Sequence, residues 1–201
     1  MRNHRSGMPF KPILALTLLT SLLTACGGAN TPGRTDPYTP DPNFTAQRSV
    51  QAPDVLDQVE AEAIEHINAA RALGIRCTAA NGTVTSYPPA GKVTLEGHLQ
   101  RAAEWHASDM NDRHYMAHVA PSPAPHGAQP ADRIMNAGYR PQKGLATGEN
   151  LASGFEVAKA VVDAWLASTR GHCEALATAS YVDVGIAQLN GYWALELANP
   201  L

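Results

Sequence analysis

The sequence has no excess of basic residues, and it contains few charges and few aromatic side chains. Fifteen Lys and Arg oppose 18 Asp and Glu, a net charge of −3 over 201 residues. This balance excludes the basic surface typical of nucleic-acid binding, so we expect no nucleic-acid partner. The hydrophobic fraction of 44% exceeds that of a disordered chain, and the length favours one domain with a core of its own.

Long hydrophobic runs are also scarce, and the most conspicuous one lies near the N-terminus. Residues 13–23 are apolar after a charged start, and this run is too short to span a bilayer. It leads into Leu23-Thr-Ala-Cys26, which resembles a bacterial lipobox. We expect residues 1–25 to be a lipoprotein signal peptide and Cys26 to become the lipidated first residue. The alternative is an ordinary signal peptide followed by a chance cysteine.

The next segment, residues 26–52, is rich in Pro, Thr and Gly and cannot form a core. We expect it to be an extended tether, anchored to a cell membrane by the Cys26 lipid and holding the domain of residues 53–201 outside the cytoplasm. Only three cysteines are present. If Cys26 carries lipid, Cys77 and Cys173 remain as an even pair in an oxidising compartment. A disulfide between them would contribute about 4–5 kcal/mol in the chain-entropy model.

Helical periodicity predicts four helices in the domain. The second has a stripe of apolar residues that includes His106. A Gly at the end of the first and third helices, and Pro at the start of the third, match ordinary helix boundaries. The predicted start and end residues are Asp54 and Gly74 for the first helix, Thr94 and about Asp112 for the second, and Pro130 and Gly138 for the third. A capping box from Ser153 to Glu156 opens the fourth helix, which continues through Trp165.

The C-terminal region changes to the two-residue period of strands. Residues 181–186 and 192–197 alternate between apolar and other residues on either side of Asn190-Gly191. This pattern is the strongest hairpin signal that a sequence offers. Helices followed by antiparallel strands predict an α+β fold in which helices cover a small sheet.

Polar residues that could carry chemistry are scattered through the domain. His114 and His118 are four residues apart, but no glutamate follows His114, so the HExxH pattern of zinc proteases is absent. The spacing alone therefore indicates no more than a chance pair. Glu149 lies in a short polar stretch, and His172 directly precedes Cys173. The remaining histidines lack an obvious partner, so we expect His66, His98 and His106 to be structural and His126 to be solvated.

Taken in order, several segments resemble the CAP domain, also called the SCP domain, over residues 54–199. This family includes cysteine-rich secretory proteins, venom allergens, plant pathogenesis-related proteins and many exported bacterial proteins. The matching segments are Asn68-Ala-Ala-Arg71, Ala103-Glu-Trp-His-Ala-Ser-Asp-Met110, His114-Tyr-Met-Ala-His118, Asp132-Arg-Ile-Met-Asn-Ala-Gly-Tyr139, Gly148-Glu-Asn-Leu-Ala-Ser-Gly154, Val162-Asp-Ala-Trp-Leu-Ala-Ser168, Gly171-His-Cys173 and Tyr181-Val-Asp-Val-Gly-Ile-Ala187.

The resemblance implies an α-β-α sandwich whose cleft is lined by His118, Glu149 and His172. A second acidic residue of the family's fuller site is replaced here by Ser168. A bacterial subset of the family shares the Gly-His-Cys motif and an earlier cysteine matching Cys77, which agrees with the pairing to Cys173.

This residue set allows three functions. A non-enzymatic module could bind a polar ligand through hydrogen bonds and tunable imidazole charge. Alternatively, His118, His172 and Glu149 could hold a divalent metal such as zinc with an open position, as in a hydrolase of envelope or extracellular peptides or glycans. Lipid or sterol binding, as reported for some CAP proteins, is the third. No catalytic residue is identified, and we favour the ligand-binding module.

Lipid attachment at Cys26 can be tested in the producing cell. The Cys26→Ala chain should lose labelling by a radioactive or clickable fatty acid and should accumulate unprocessed, because the thiol that receives the lipid is gone. Wild-type chain labelled in parallel is the control. Labelling that survives in the variant would show that the lipobox assignment is wrong.

Overall fold

The computed structural model describes residues 26–27, 56–140 and 145–199, so the predicted signal peptide and most of the predicted tether lie outside it. Within these ranges no helix is both long and apolar enough to cross a bilayer. The described helices are α1 (Gln58–Leu73), α2 (Gly97–Arg113), α3 (Pro130–Ala137), α4 (Ala158–Leu166) and α5 (His172–Ala177). The described strands are β1 (Cys26–Gly27), β2 (Ile75–Thr78), β3 (Val84–Tyr87), β4 (Thr94–Leu95), β5 (Thr147–Ser153), β6 (Asp183–Leu189) and β7 (Tyr192–Ala198).

The main sheet has the strand order β1-β5-β7-β6-β4, and β2 and β3 form a separate hairpin. Strands β5, β7 and β6 are antiparallel, whereas β4 runs parallel to β6. The predicted hairpin around Asn190-Gly191 is confirmed as β6–β7. Both turn residues have positive φ, 49° and 81°, which Asn and Gly tolerate best.

Strand β7 lies inside the sheet and is buried on both faces, which makes the fold an α+β sandwich with helices on either side. Trp193, Leu195 and Leu197 face the cluster formed with α1, α4 and α5. Ala194 and Ala198 face the opposite side, against α2 and α3. The continuous burial of β7 explains why the sequence there looks more apolar than a half-exposed strand would require.

Two predicted helix starts precede the observed ones by two or three residues. Helix α1 is capped by Asp57 in a capping box with Glu60, while the predicted cap Asp54 lies outside the described residues. Helix α2 is capped by Glu96, whose carboxylate accepts from the main-chain N–H groups of His98 and Leu99. The predicted cap Thr94 belongs to β4 instead, because its main chain pairs with β6.

The predicted capping box at Ser153–Glu156 is also wrong. Ser153 ends β5, paired opposite Tyr192, and α4 begins only at Ala158 after Val157. The seven-residue pairing of β5 with the central strand overrides the local helix signal. Glu149 therefore lies on a strand and not in a polar loop before a helix.

Helix α5 is fixed to the rest of the domain by the Cys77–Cys173 disulfide, which confirms the predicted pairing. The two Cα atoms are 5.6 Å apart, and the bond joins positions 96 residues apart in the chain. Because Cys77 lies on β2 and Cys173 in the first turn of α5, the bond holds the helix start against the hairpin. His172, the preceding residue, is held with it.

Arg71 provides a second support for the α5 region. Its buried guanidinium donates to the carbonyls of Gly91, Leu176, Thr178 and Tyr181 at 2.7–3.0 Å. Three of these carbonyls lie at the end of α5 or just beyond it. The Asn68-Ala-Ala-Arg71 motif is therefore structural, because it ties α1 to the segment that follows His172.

Candidate functional site

The centre of the site is the carboxylate of Glu149, which is only 5% exposed. Its Oε1 accepts a hydrogen bond from His118 Nδ1 at 2.6 Å, and its Oε2 accepts one from Arg133 Nη2 at 2.5 Å. A buried carboxylate requires such donors, since burial without them is strongly unfavourable. Both oxygens of Glu149 are thus engaged by the protein itself.

Arg133 contacts both Glu149 and His118. It extends from α3, and besides Glu149 it donates to the main-chain oxygens of Ala128 and His118 at 3.0 and 3.1 Å. The side chain of His118 is 21% exposed, whereas that of Arg133 is 2% exposed. Arg133 therefore fixes the backbone of His118 from the buried side and leaves the imidazole at the surface of the site.

Glu196 is a second buried carboxyl group in direct register with Glu149. The two residues are opposite each other on β7 and β5, and Glu196 is fully buried. Within the described residues no group donates a hydrogen bond to either of its oxygens. A proton on one of these oxygens would avoid a second buried negative charge beside Glu149.

The electrostatics place that proton on Glu196. Burial and the charge of Glu149 raise the pKa of Glu196 well above its usual value. Burial also raises the pKa of Glu149, but the charge of Arg133 and the hydrogen bond from His118 outweigh this effect and lower the pKa overall. Of the two carboxyl groups, Glu149 ionises more readily and Glu196 is the one that retains a proton.

His106, on α2, joins Glu149, His118, Arg133 and Glu196 in one group of polar side chains, called the Glu149 cluster below. His106 is fully buried, and its Nε2 is 3.0 Å from the carbonyl of Ala117 and 3.9 Å from Glu149 Oε2. Burial lowers its pKa to about 4, and the nearby Arg133 charge acts in the same direction, although Glu149 opposes the shift. His106 is therefore a neutral imidazole at physiological pH.

His172 approaches from α5, where the main-chain oxygen of His172 accepts from Asn150 at 3.2 Å. Its Nδ1 is 2.8 Å from Ser168 Oγ, so the residue that replaces the family's second acid provides the contact. Burial lowers the pKa of His172 to about 4, with smaller contributions from the charges of His118 and Arg170. The structure thus brings His118 and Glu149 into contact, whereas the side-chain contact of His172 is with Ser168.

Among the buried polar side-chain atoms of His118, Glu149 and His172, the one without a hydrogen-bond partner in the described residues is His172 Nε2. It is buried, and nothing in the described residues bonds to it. By contrast, the carboxylate of Glu149 is engaged on both oxygens, and Ser168 Oγ accepts from the main-chain N–H of Arg170 while contacting His172. A ligand with a hydrogen-bonding group would satisfy His172 Nε2.

The expected three-ligand metal set does not fit this arrangement. Both oxygens of Glu149 accept hydrogen bonds, and the Arg133 cation lies against one of them, where a divalent ion would be repelled. Across the described ranges, no group of three or more His, Cys, Asp or Glu side chains has the geometry to hold a metal ion. Glu149 could act only indirectly, by orienting His118. The predicted metal set of His118, His172 and Glu149 is therefore not supported by this geometry, and metal binding stays a prediction.

Three members of the cluster were not identified from the sequence. His106 falls within the apolar stripe predicted for the second helix, which was a signal that it is buried among core residues. Arg133 belongs to one of the CAP-like segments, but nothing local indicates that its side chain points inward. Glu196 is the acidic residue in an otherwise apolar final strand, and only the two-sided burial of β7 explains why it matters.

Of the other histidines, only His126 differs from expectation. His98 has a partner, since its Nδ1 is 2.6 Å from Glu96 Oε1. His126 is half-buried and stacks on Trp105, with ring centroids 4.1 Å apart, so the prediction that it is solvated is wrong. His114 ends α2 in a left-handed conformation. It therefore does not share a helix face with His118.

A family model described as CAP, the cysteine-rich secretory protein family, matches residues 64–192. The chain belongs to this family. No curated protein sequence matches the chain.

Two solved structures are similar to the chain at low sequence identity. One is an extracellular protein containing an SCP domain from Bacillus anthracis, with 21% identity and a TM-score of 0.49. That match covers 55% of this chain, and the chain spans about a third (35%) of that protein's length. The other is an outer surface protein from Borrelia burgdorferi, with 19% identity, a TM-score of 0.47, and coverage of 73% of this chain and 97% of that protein.

The neutral state of His106 predicts a pH-dependent stability. The unfolded chain binds a proton at His106 below its ordinary pKa of about 6.5, whereas the folded chain does so only near pH 4. Stability from this group is therefore lost as the pH falls from about 6.5 to 4. Between pH 7 and 4.5 the unfolding free energy of wild type should fall by about 2 kcal/mol more than that of His106→Gln, measured by urea denaturation.

Comparing variants cancels the opposite contribution of Glu196, whose raised pKa makes the folded state more favourable as the pH falls. The control is His66→Gln, on the half-buried face of α1, which should keep the wild-type pH dependence. Equal pH dependence in wild type and His106→Gln would contradict the assignment of His106 as a neutral buried imidazole.

Proposed function

We propose that the protein is a membrane-anchored, extracytoplasmic CAP-domain protein that binds a ligand without converting it, through the cleft of His118, Glu149 and His172. The observation that carries this proposal is the buried His172 Nε2, which has no hydrogen-bond partner within the described residues. A buried unsatisfied polar atom is unfavourable, so a ligand that hydrogen-bonds to it gains affinity.

The chemistry of the cleft supports binding more than catalysis. The carboxylate of Glu149 is held by Arg133 and His118, so it is not poised to accept a substrate proton. With a pKa of about 4, His172 is a weak base for activating Ser168. Cys77 and Cys173 are joined in a disulfide, so neither is a thiol nucleophile.

The partly exposed imidazole of His118 would make the first contact with a ligand. Its Nδ1 donates to Glu149, and this hydrogen bond keeps the ring oriented. The neutral His172 would provide a second hydrogen bond from the buried side of the cleft. Together they favour a polar ligand. The Cys26 lipid would keep the domain at the membrane surface, where cell-envelope peptides and glycans are concentrated.

Binding can be distinguished from turnover by one experiment on the purified full chain. The lipidated protein in detergent is equilibrated with defined cell-envelope peptides and glycan fragments, with and without ZnCl₂, and examined by native mass spectrometry. We expect one intact fragment to be retained at 1:1 stoichiometry. His118→Ala and His172→Ala should each weaken retention at least tenfold, because each removes a hydrogen bond contributing about 1.5 kcal/mol or more.

His66→Ala, a change on α1 away from the cleft cluster, is the matched control and should bind as wild type does. Cleavage products that form with wild type and disappear with His118→Ala, particularly with zinc bound, would overturn the binding proposal in favour of a hydrolase. Failure to retain any fragment, together with extraction of lipid or sterol from vesicles, would overturn it in favour of lipid carriage.

A further inference from the structure

A small cavity lies beside the Glu149 cluster, between α2 and the connection that precedes α3. Its volume is about 10 Å³, close to the space that one water molecule requires. The lining includes polar side chains from both sides of the cavity, so it is not the kind of apolar void that stays dry. The side chains that matter most are Trp105, His106, Asp109, His126 and Arg133.

Two buried polar atoms of residues lining this cavity have no hydrogen-bond partner within the described residues: His106 Nδ1 and Arg133 Nε. Their roles are opposite. His106 Nε2 lies 3.0 Å from the carbonyl of Ala117, and since a carbonyl only accepts, Nε2 carries the hydrogen. In the neutral ring Nδ1 is then an acceptor, whereas Arg133 Nε always carries a hydrogen and donates.

We propose that the cavity is a specific binding site for a single water molecule, which accepts from Arg133 Nε and donates to His106 Nδ1. Water has both functions at one oxygen atom, which matches the pair of unsatisfied groups. The carboxylate of Asp109 lines the same cavity and offers an acceptor for the second hydrogen. Such a water would make three hydrogen bonds, the number typical of buried waters.

The groups around the cavity favour a neutral polar occupant. The charges of Arg133 and Asp109 are already paired with Glu149 and Arg113, so neither requires a counter-ion in the cavity. An apolar atom would leave His106 Nδ1 and Arg133 Nε unsatisfied. One neutral oxygen atom carrying at least one hydrogen meets every requirement.

The water would connect the two helices that flank Glu149. His106 belongs to α2 and Arg133 to α3, and Arg133 donates to Glu149 through a different nitrogen, Nη2. A hydrogen bond at Nε restricts the remaining freedom of the guanidinium and so favours its orientation towards the carboxylate. The water is therefore part of the support for the cleft and does not depend on the ligand.

The test is a high-resolution crystal structure of the wild-type full chain, together with NMR in solution. We expect one fully occupied density peak within hydrogen-bond distance of both His106 Nδ1 and Arg133 Nε. In rotating-frame spectra, Arg133 Hε should show a cross-peak to water. His106→Phe, which removes the acceptor, should lose the peak and the cross-peak, whereas His66→Phe should keep both.

Absence of the density peak in wild type, or new protein partners for both nitrogen atoms, would overturn the proposal. A peak that persists unchanged in His106→Phe would also overturn it, since the bridge requires Nδ1. If His106→Phe does not fold, the two wild-type measurements still decide the question. Neither readout involves a cleft ligand, so failure here is distinguishable from failure of the proposed function.

Discussion

The buried carboxylate of Glu149 is the constraint on which the site depends. A negative charge at this position on β5 is tolerated only because Arg133 and His118 donate to it and because Glu196 is neutral. Each donor comes from a different part of the chain. Satisfying this one charge therefore brings the sheet, α3 and the connection after α2 together around the cleft.

The other half of the cleft has separate supports. Helix α5 carries His172, and the disulfide fixes its start while Arg71 binds carbonyls at its end. Neither support touches Glu149. The two histidines of the proposed cleft are thus positioned independently, one by an ion pair and one by covalent and main-chain contacts, as a preformed binding site would require.

Local sequence signals predicted much of this fold, and the features that they did not predict depend on contacts between distant parts of the chain. Gly74, Pro130 and Asn190-Gly191 mark boundaries through their own backbone preferences, and those boundaries are confirmed. Strand β5 was missed because its conformation depends on pairing with β7, more than forty residues later. His118 and Glu149 were identified through family resemblance, whereas Arg133 and Glu196 acquire their role only when helix and sheet pack together.

The coupling between Arg133 and Glu149 tests this account most directly. A double-mutant cycle with Arg133→Met, Glu149→Gln and the double variant, measured as unfolding free energies at pH 7, isolates their interaction. Breaking a buried ion pair from one side typically costs about 3–5 kcal/mol, so we expect each single variant to be strongly destabilised and the double variant much less than their sum. Effects that add within about 0.5 kcal/mol would contradict the central role of the Glu149 carboxylate.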